Sequence, residues 1–372
     1  MTNQKKKILV VTDTDMMGSG YFNIAVPLCQ GLAKLGHEIK FAGLNYNGEE
    51  HNFDFSVIPA RSFQEINAIV TNFVGGLWKF DVMLVALDIP QQISMLNKWK
   101  ERDFKYVAVF PIESDPLSFA WSMSLSSADK LFCISKFGTA EAEKVYLPAE
   151  YFEVSIDDKW RVPTAEEKSN IREAYGVGKN DFVVLTVAAN QERKNLQAAV
   201  RAFSNFAKDK DDVHYAILTA QNFFAGWNLD DLSSVVGCRD KMMLIEKGLD
   251  FPALWQVYAM SDVFLLPSKA EGAGLPILEA MATGLPVIGT RCTSFMEHLE
   301  DGRGFLVDSE YEYIDVFGNG WRYMADIGQI TNTLEHIYEG DWVHNRDAAV
   351  EYVKSRSWDK TVERVDEALQ EL

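Results

Sequence analysis

Cysteine is scarce: 372 residues hold four, Cys29, Cys133, Cys238 and Cys292, far apart and without a Cys-x-x-Cys pair. Neither a zinc site nor a disulfide framework is indicated, and reduced thiols in a cytoplasmic setting are the expectation. The six histidines are scattered, with no metal-ligand spacing. Long apolar runs are also missing. Behind Lys5, Lys6 and Lys7 the run from Ile8 stops at Thr12 and Asp13, short of the roughly 7 to 15 residues of a signal-peptide core. No stretch approaches the roughly 18 apolar residues of a membrane span, so no integral membrane association is expected. Positive charge is in deficit: 36 Lys and Arg face 54 Asp and Glu, a formal balance of −18. Broad attraction to nucleic acid or anionic lipid needs a basic face and is disfavoured. Residues 1–156 carry 14 Lys/Arg against 18 Asp/Glu, so most of the excess acid lies beyond them and a local basic patch in the first half stays open.

What is present is core-forming material: 47% hydrophobic and 12% aromatic residues, with 24% charged. At this length two domains are the default, because single cores tend to stop growing earlier. Strand-length apolar runs alternate with helix-period segments, the pattern of parallel sheets covered by helices. Strands are expected at 8–12, 38–42, 82–87, 106–110 and 130–134, with helices at 21–35 and 90–102. The segment 155–163 fits neither period and contains Pro163, which places a boundary there. Alternation resumes after Thr164-Ala165-Glu166-Glu167, a capping-box spacing, with strands at 182–187, 214–218, 242–245, 263–266 and 287–289. The expected domains are 1–156 and 160–350. Repeated α/β halves put ligands at the carboxyl ends of their strands, which here means a facing cleft.

The most informative stretch runs from Val263 to Thr290, VFLLPSKAEGAGLPILEAMATGLPVIGT: strand, glycine loop, helix, glycine stop, strand. Loop glycines let backbone amides approach a ligand closely. The helix opens near Leu275 and Pro276, so free N–H groups and the positive dipole end, at Gly272, Ala273, Gly274 and Leu275, face the loop. That is an anion site suited to a diphosphate. Glu271 sits in the loop and Glu279 eight residues later, about a turn into the helix. A carboxylate accepts hydrogen bonds from two neighbouring hydroxyls, so one glutamate can hold a ribose and the other a sugar ring. The bland alternative is that both glutamates belong to a solvated face. It fits Glu279 poorly, since Leu278 and Met281 surround it and a buried, unpaired carboxylate costs several kcal/mol.

This segment resembles the retaining GT-B glycosyltransferases related to sucrose and glycogen synthases, whose signature is two glutamates with seven residues between them. Glu271 and Glu279 match it, and the PS..EG.GLP.LEAMA.G.PV flanks match from Pro267 to Val287. The resemblance implies a GT-B fold, two Rossmann-like domains with parallel sheets facing across a cleft, and a C-terminal domain that binds a nucleotide sugar. It further implies a UDP- or GDP-sugar as donor substrate, no other cofactor and no metal. In relatives an arginine just after the first strand of that domain and a lysine five residues on clamp the diphosphate. Lys194 fits the lysine, but Ala189 stands at the arginine position. Arg193 is the candidate replacement, because a bidentate guanidinium–phosphate contact is strong. That both are merely solvated helix-start residues stays open. Asn190, in the same loop, is a further donor-site candidate.

In the first half Gly18-Ser19-Gly20 follows a strand and opens a helix, but Asn23 occupies the third position of a dinucleotide fingerprint, so the motif is weak alone. By resemblance Gly18 and Gly20 approach the donor phosphates. Many relatives carry a histidine near the reacting sugar; here Pro111-Ile112-Glu113-Ser114-Asp115-Pro116 follows the strand, and Glu113 or Asp115 is the candidate for that space. The change leaves acceptor class open: a glycan, a small molecule or a modified nucleobase. Asp13-Thr14-Asp15 and Glu113-Ser114-Asp115 resemble magnesium-binding pairs, but lysine, arginine and helix dipoles are expected to take the metal's place. Phe223-Phe224-Ala225-Gly226-Trp227 reads as a lid or core loop. Ser357 and Asp359 look like the start of a last helix, capped by Ser357, that in relatives returns to the first domain. The expected activity is metal-independent, retaining transfer of a sugar to an acceptor hydroxyl. Glu271, Lys194, Arg193 and Glu113 are the catalytic candidates. A catalytically degenerate nucleotide-sugar-binding protein is the main alternative, and a sugar-nucleotide epimerase a more distant one.

Overall fold

The computed structural model describes residues 4–15, 18–220, 226–341 and 345–372. The chain divides into two compact units, one formed by residues up to Ser155 together with Arg356–Leu372, the other by Ile156–Ser355.

The N-terminal unit is built on strands β1 (Lys7–Asp13), β2 (Glu38–Leu44), β3 (Ser56–Ala60), β4 (Val82–Ala86), β5 (Lys105–Phe110), β6 (Lys130–Cys133) and β7 (Ala149–Tyr151). They form one sheet in the order β3-β2-β1-β4-β5-β6-β7, and every pairing in it is parallel. β1 and β4 lie in its middle and are buried almost throughout, which explains their near-continuous apolar sequences. The edge strands β3 and β7 escaped the sequence reading. Pro59 lies within β3, tolerated because the strand pairs on one side only, and β7 is three residues long with no buried position. The helix expected over 90–102 runs Ile89–Lys98, and Trp99 leaves helical geometry at its end.

The last helix, Trp358–Glu371, packs on the first, Gly20–Lys34, within this unit. A Cβ built on Gly31 would lie 2.4 Å from Val362 Cγ2, so only glycine permits the approach. Around this contact His37 Nε2 meets Asp366 Oδ1 at 2.8 Å, and Thr361 Oγ1 donates to Glu153 O at 2.7 Å. Ser357 stands at the helix N-cap, but its hydroxyl makes no capping hydrogen bond, contrary to the expectation that it would.

The C-terminal unit repeats the plan with β8 (Phe182–Val187), β9 (Val213–Thr219), β10 (Met242–Glu246), β11 (Val263–Leu266), β12 (Val287–Thr290) and β13 (Phe305–Val307), ordered β10-β9-β8-β11-β12-β13. All are parallel, so all their carboxyl ends share one edge. The capping box at its entry forms with both reciprocal bonds: Glu167 N donates to Thr164 Oγ1 at 3.1 Å and Thr164 N to Glu167 Oε2 at 2.8 Å. Neither the edge strand β13 nor a separate antiparallel hairpin, β14 (Ser309–Ile314) with β15 (Trp321–Ala325), has a counterpart in the sequence reading. Thus both units are parallel-sheet, Rossmann-like domains.

Candidate active site

The site grows from the exits of β8 and β11, which are neighbours in the sheet. Beyond β8 a short turn, Glu192–Lys194, ends on Asn195 in left-handed conformation at φ 55°, and the helix Leu196–Phe206 follows. Asparagine tolerates that region better than most residues. Its side chain also ties the two exits together, since Asn195 Nδ2 donates to Pro267 O at 3.1 Å and Lys269 N donates to Arg193 O at 2.9 Å.

This stitching delivers two cations to one carboxylate. Lys194 Nζ lies 2.6 Å from Glu271 Oε1 and Arg193 Nη1 lies 3.2 Å from Glu271 Oε2, while Arg193 Nη1 also donates to Ala270 O at 2.6 Å. Burial works to raise the Glu271 pKa, but the Lys194 and Arg193 charges outweigh it and bring the group down to about 2. Glu271 is therefore an anion at any physiological pH. Its own amide donates to Thr293 Oγ1 at 2.9 Å, which fixes the loop.

Gly274 then turns the chain at φ +65°, and the helix Leu275–Ala282 begins. A Cβ there would come within 2.8 Å of Ile277 Cδ1, so both conformation and space call for glycine. Among the described residues, the buried amides of Gly272, Ala273 and Gly274 find no acceptor within the chain. Buried N–H groups are almost always satisfied, and three of them at a helix start make an anion-binding concavity. The Ala273 carbonyl meets His298 Nε2 at 2.8 Å, and His298 Nδ1 meets Tyr352 Oη at 3.0 Å. A carbonyl only accepts, so the Nε2 proton is on the ring and the loop hangs from a buried imidazole.

Glu279 lies on the same helix. Its Oε2 accepts from Tyr258 Oη at 2.6 Å, and Tyr258 is fixed edge-on by Trp160 at 5.0 Å and stacked on Phe264 at 5.8 Å. Burial pushes the Glu279 carboxyl up to about 7, with the Tyr258 hydrogen bond opposing. The two glutamates are thus held in opposite electrostatic states, one between cations and one in an apolar wall.

The remaining candidates fall elsewhere. Asn190 spends its carboxamide on the backbone of Trp227, donating to Trp227 O at 2.8 Å and accepting from Trp227 N at 2.9 Å, so its visible work is to hold that loop. Phe223, Phe224 and Ala225 of the aromatic loop lie outside the described residues, whereas Gly226 packs on Asn190. Ala189 is exposed. Gly18, at φ +147°, and Gly20, the first residue of its helix, belong to the N-terminal unit, as does Glu113, half-buried in the loop leaving β5. Leu275 opens the helix after Gly274 and is buried. Asp13 of the first acidic pair accepts from Asn45 Nδ2 at 2.9 Å. His298, Thr293, Tyr258 and Trp160 were not singled out from the sequence. Trp160 lies in the aperiodic 157–161 stretch, Tyr258 and His298 sit on ordinary helical positions, and Thr293 opens its helix at φ 43°, a conformation that no local pattern announces.

Residues 167–316 match the family model described as glycosyl transferases group 1. The chain is 27% identical over 329 residues to the N-acetyl-alpha-D-glucosaminyl L-malate synthase of Bacillus anthracis, covering 82% of this chain and 84% of that enzyme. It is 26% identical over 194 residues to a GDP-mannose-dependent alpha-(1-6)-phosphatidylinositol monomannoside mannosyltransferase of Mycolicibacterium smegmatis, and there the chain spans 50% of the relative's length. Its fold matches that of the Anabaena protein Alr3699/HepE in complex with UDP-glucose, with a TM-score of 0.76 at 16% identity over 99% of this chain and all of that one. Residues 167–316 are thus similar to the glycosyl transferases group 1 family, and they are carried on a GT-B fold.

Proposed function

We propose that the chain transfers a sugar from a UDP- or GDP-sugar to an acceptor hydroxyl, with retention of anomeric configuration and without a metal or other cofactor. The observation that carries this is the joint made by Glu271, Lys194 and Arg193 beside the unsatisfied amides of Gly272, Ala273 and Gly274. The amides receive the donor diphosphate. Lys194 and Arg193, already next to it, supply the positive charge that a divalent cation supplies elsewhere. Glu271, ionised and immobilised, accepts hydroxyls of the transferred sugar, and Glu279 accepts those of the ribose. The bond from the anomeric carbon to the phosphate oxygen lengthens, and the leaving diphosphate is stabilised by the cations and amides. The acceptor oxygen bonds to the same face of that carbon while its proton passes to the departing phosphate oxygen. Glu113 is assigned to the acceptor. Named relatives support donors of this class: one is described as GDP-mannose-dependent, and one fold neighbour was solved with UDP-glucose.

The alternative, a binding protein without transfer activity, is favoured by the exposed Ala189 at the position where relatives carry the clamp arginine. Titration of UDP-, GDP- and ADP-sugars against thermal stability separates the readings. At about 100 times its dissociation constant a donor adds about 2.7 kcal/mol. One nucleotide class is expected to stabilise the wild type and not Glu279→Ala. Lys194→Ala is expected to lower turnover by roughly 10²- to 10³-fold, the cost of removing one preorganised charge-stabilising group. Donor binding with neither transfer nor hydrolysis would establish the binding protein, and inverted product anomers, read by NMR, would exclude retention.

A further inference from the structure

Beside the two cations that meet Glu271 stands a third, Lys269, in the loop leaving β11 and two residues before that glutamate. Its side chain is only 7% exposed. Burial pulls its pKa below the usual lysine value; Asp315 opposes that shift and Arg322 adds to it. An ammonium in such a place has to be held by groups that accept its protons. Glu192 pairs with it from the turn beyond β8, and Tyr313 Oη of β14 accepts from Lys269 Nζ at 3.0 Å.

The backbone of Lys269 joins the same three segments. Lys269 N donates to Arg193 O at 2.9 Å, and Tyr323 N of β15 donates to Lys269 O at 3.1 Å. A two-stranded hairpin is marginal in water by itself, so β14–β15 depends on fastenings of this kind. Tyr313 lies in register with Arg322, a buried residue whose guanidinium is 4.0 Å from the Asp315 carboxylate, so the acceptor for Lys269 stands on an anchored part of the hairpin.

Glu192, Arg193 and Lys194 form one short turn. The last two meet Glu271, so whatever holds Glu192 also limits where those cations stand. Glu192 is itself largely exposed, and a pair between two exposed groups would hold the turn weakly. Here the ammonium is buried and Tyr313 fixes its direction, which makes the tie a geometric one.

We propose that Tyr313, acting through the Lys269 ammonium on Glu192, is a positioning residue for Arg193 and Lys194, which makes the hairpin β14–β15 part of the diphosphate-binding apparatus. The inference rests on the reading of these two cations as a diphosphate clamp and extends it to a hairpin outside the two loops that carry the site.

The test is calorimetric, on the full chain, with UDP and GDP as probes and with uridine and guanosine measured by displacement of the diphosphate. The comparison separates the diphosphate, which the clamp holds, from the nucleoside, which it does not. The wild type should bind UDP or GDP more tightly than the matching nucleoside. Tyr313→Phe and Glu192→Gln should each weaken the diphosphate roughly tenfold and leave the nucleoside affinity unchanged. Both act through one ammonium, so the double variant should lose no more than the stronger single one. Tyr311→Phe removes a hydroxyl of the same strand outside this chain of contacts and should bind like the wild type. Equal weakening of nucleoside and diphosphate, the result of a general loosening of the domain, overturns the inference, as do additive losses in the double variant. A wild type that binds neither diphosphate overturns the donor reading as well. Diphosphate binding that is indifferent to Tyr313→Phe and Glu192→Gln overturns the inference alone.

Discussion

At the residue scale the two signature glutamates are tuned in opposite directions by what surrounds them. Glu271 sits between Lys194 and Arg193, and Glu279 sits against the Tyr258 hydroxyl with burial dominant. Nothing in an E-x7-E spacing states which of the pair is which; Lys194, the nearer of the two Glu271 partners, lies 77 residues away along the chain. The difference has a stability consequence. Folding raises the Glu279 pKa from 4.5 to about 7, so the native state binds this proton more tightly than the unfolded chain does. The stabilisation is fully present below pH 4.5 and is lost as pH rises through about 7, by up to about 3 kcal/mol. Urea titrations between pH 5 and pH 8 should show this decline in the wild type, and Glu279→Gln, which cannot ionise, should flatten it. An equal slope in the two proteins would contradict the assignment.

At the element scale the glycine loop is defined by where its helix begins. The strand, glycine and helix pattern of residues 263–290 was legible because each step has a local cause: apolar strand, glycine turn, proline in the first helical turn. The supports beneath the loop were not legible. His298 and Thr293 reach it from the next helix, Thr293–Leu299, and no local pattern marks a histidine or threonine there as a prop. Gly274→Ala tests the loop directly. An alanine at φ +65° with its Cβ 2.8 Å from Ile277 Cδ1 should cost roughly 1 to 2 kcal/mol of stability. Because the strain shifts the amides of residues 272–274, donor affinity should fall as well, measured as a smaller thermal shift at fixed donor concentration. The hairpin β14–β15 was missed for a different reason: its strands carry aromatic and charged residues on both faces, so they lack the apolar alternation that marks a half-buried strand.

At the scale of the whole molecule the chain completes its first unit with its last helix. Val362 fills the space that Gly31 leaves open, and the buried His37–Asp366 contact lies beside it. Val362→Asp would put an unpaired carboxylate against the helix Gly20–Lys34. It should cost about 2 to 4 kcal/mol, seen in urea unfolding as a lower midpoint with an unchanged slope. The amino-acid sequence by itself determined the class of fold, ten of the thirteen strands of the two sheets, and the loop with its paired glutamates. These depend on periodicity and on glycine and proline, which act within a few residues of where they stand. Tertiary structure alone decided that Arg193 and Lys194 converge on Glu271, that Asn190 serves Trp227, and that Tyr258 and His298 support the site. The physical reason is that hydrogen bonds and ion pairs between residues far apart in the chain exist only once parallel strands have brought their carboxyl ends to one edge.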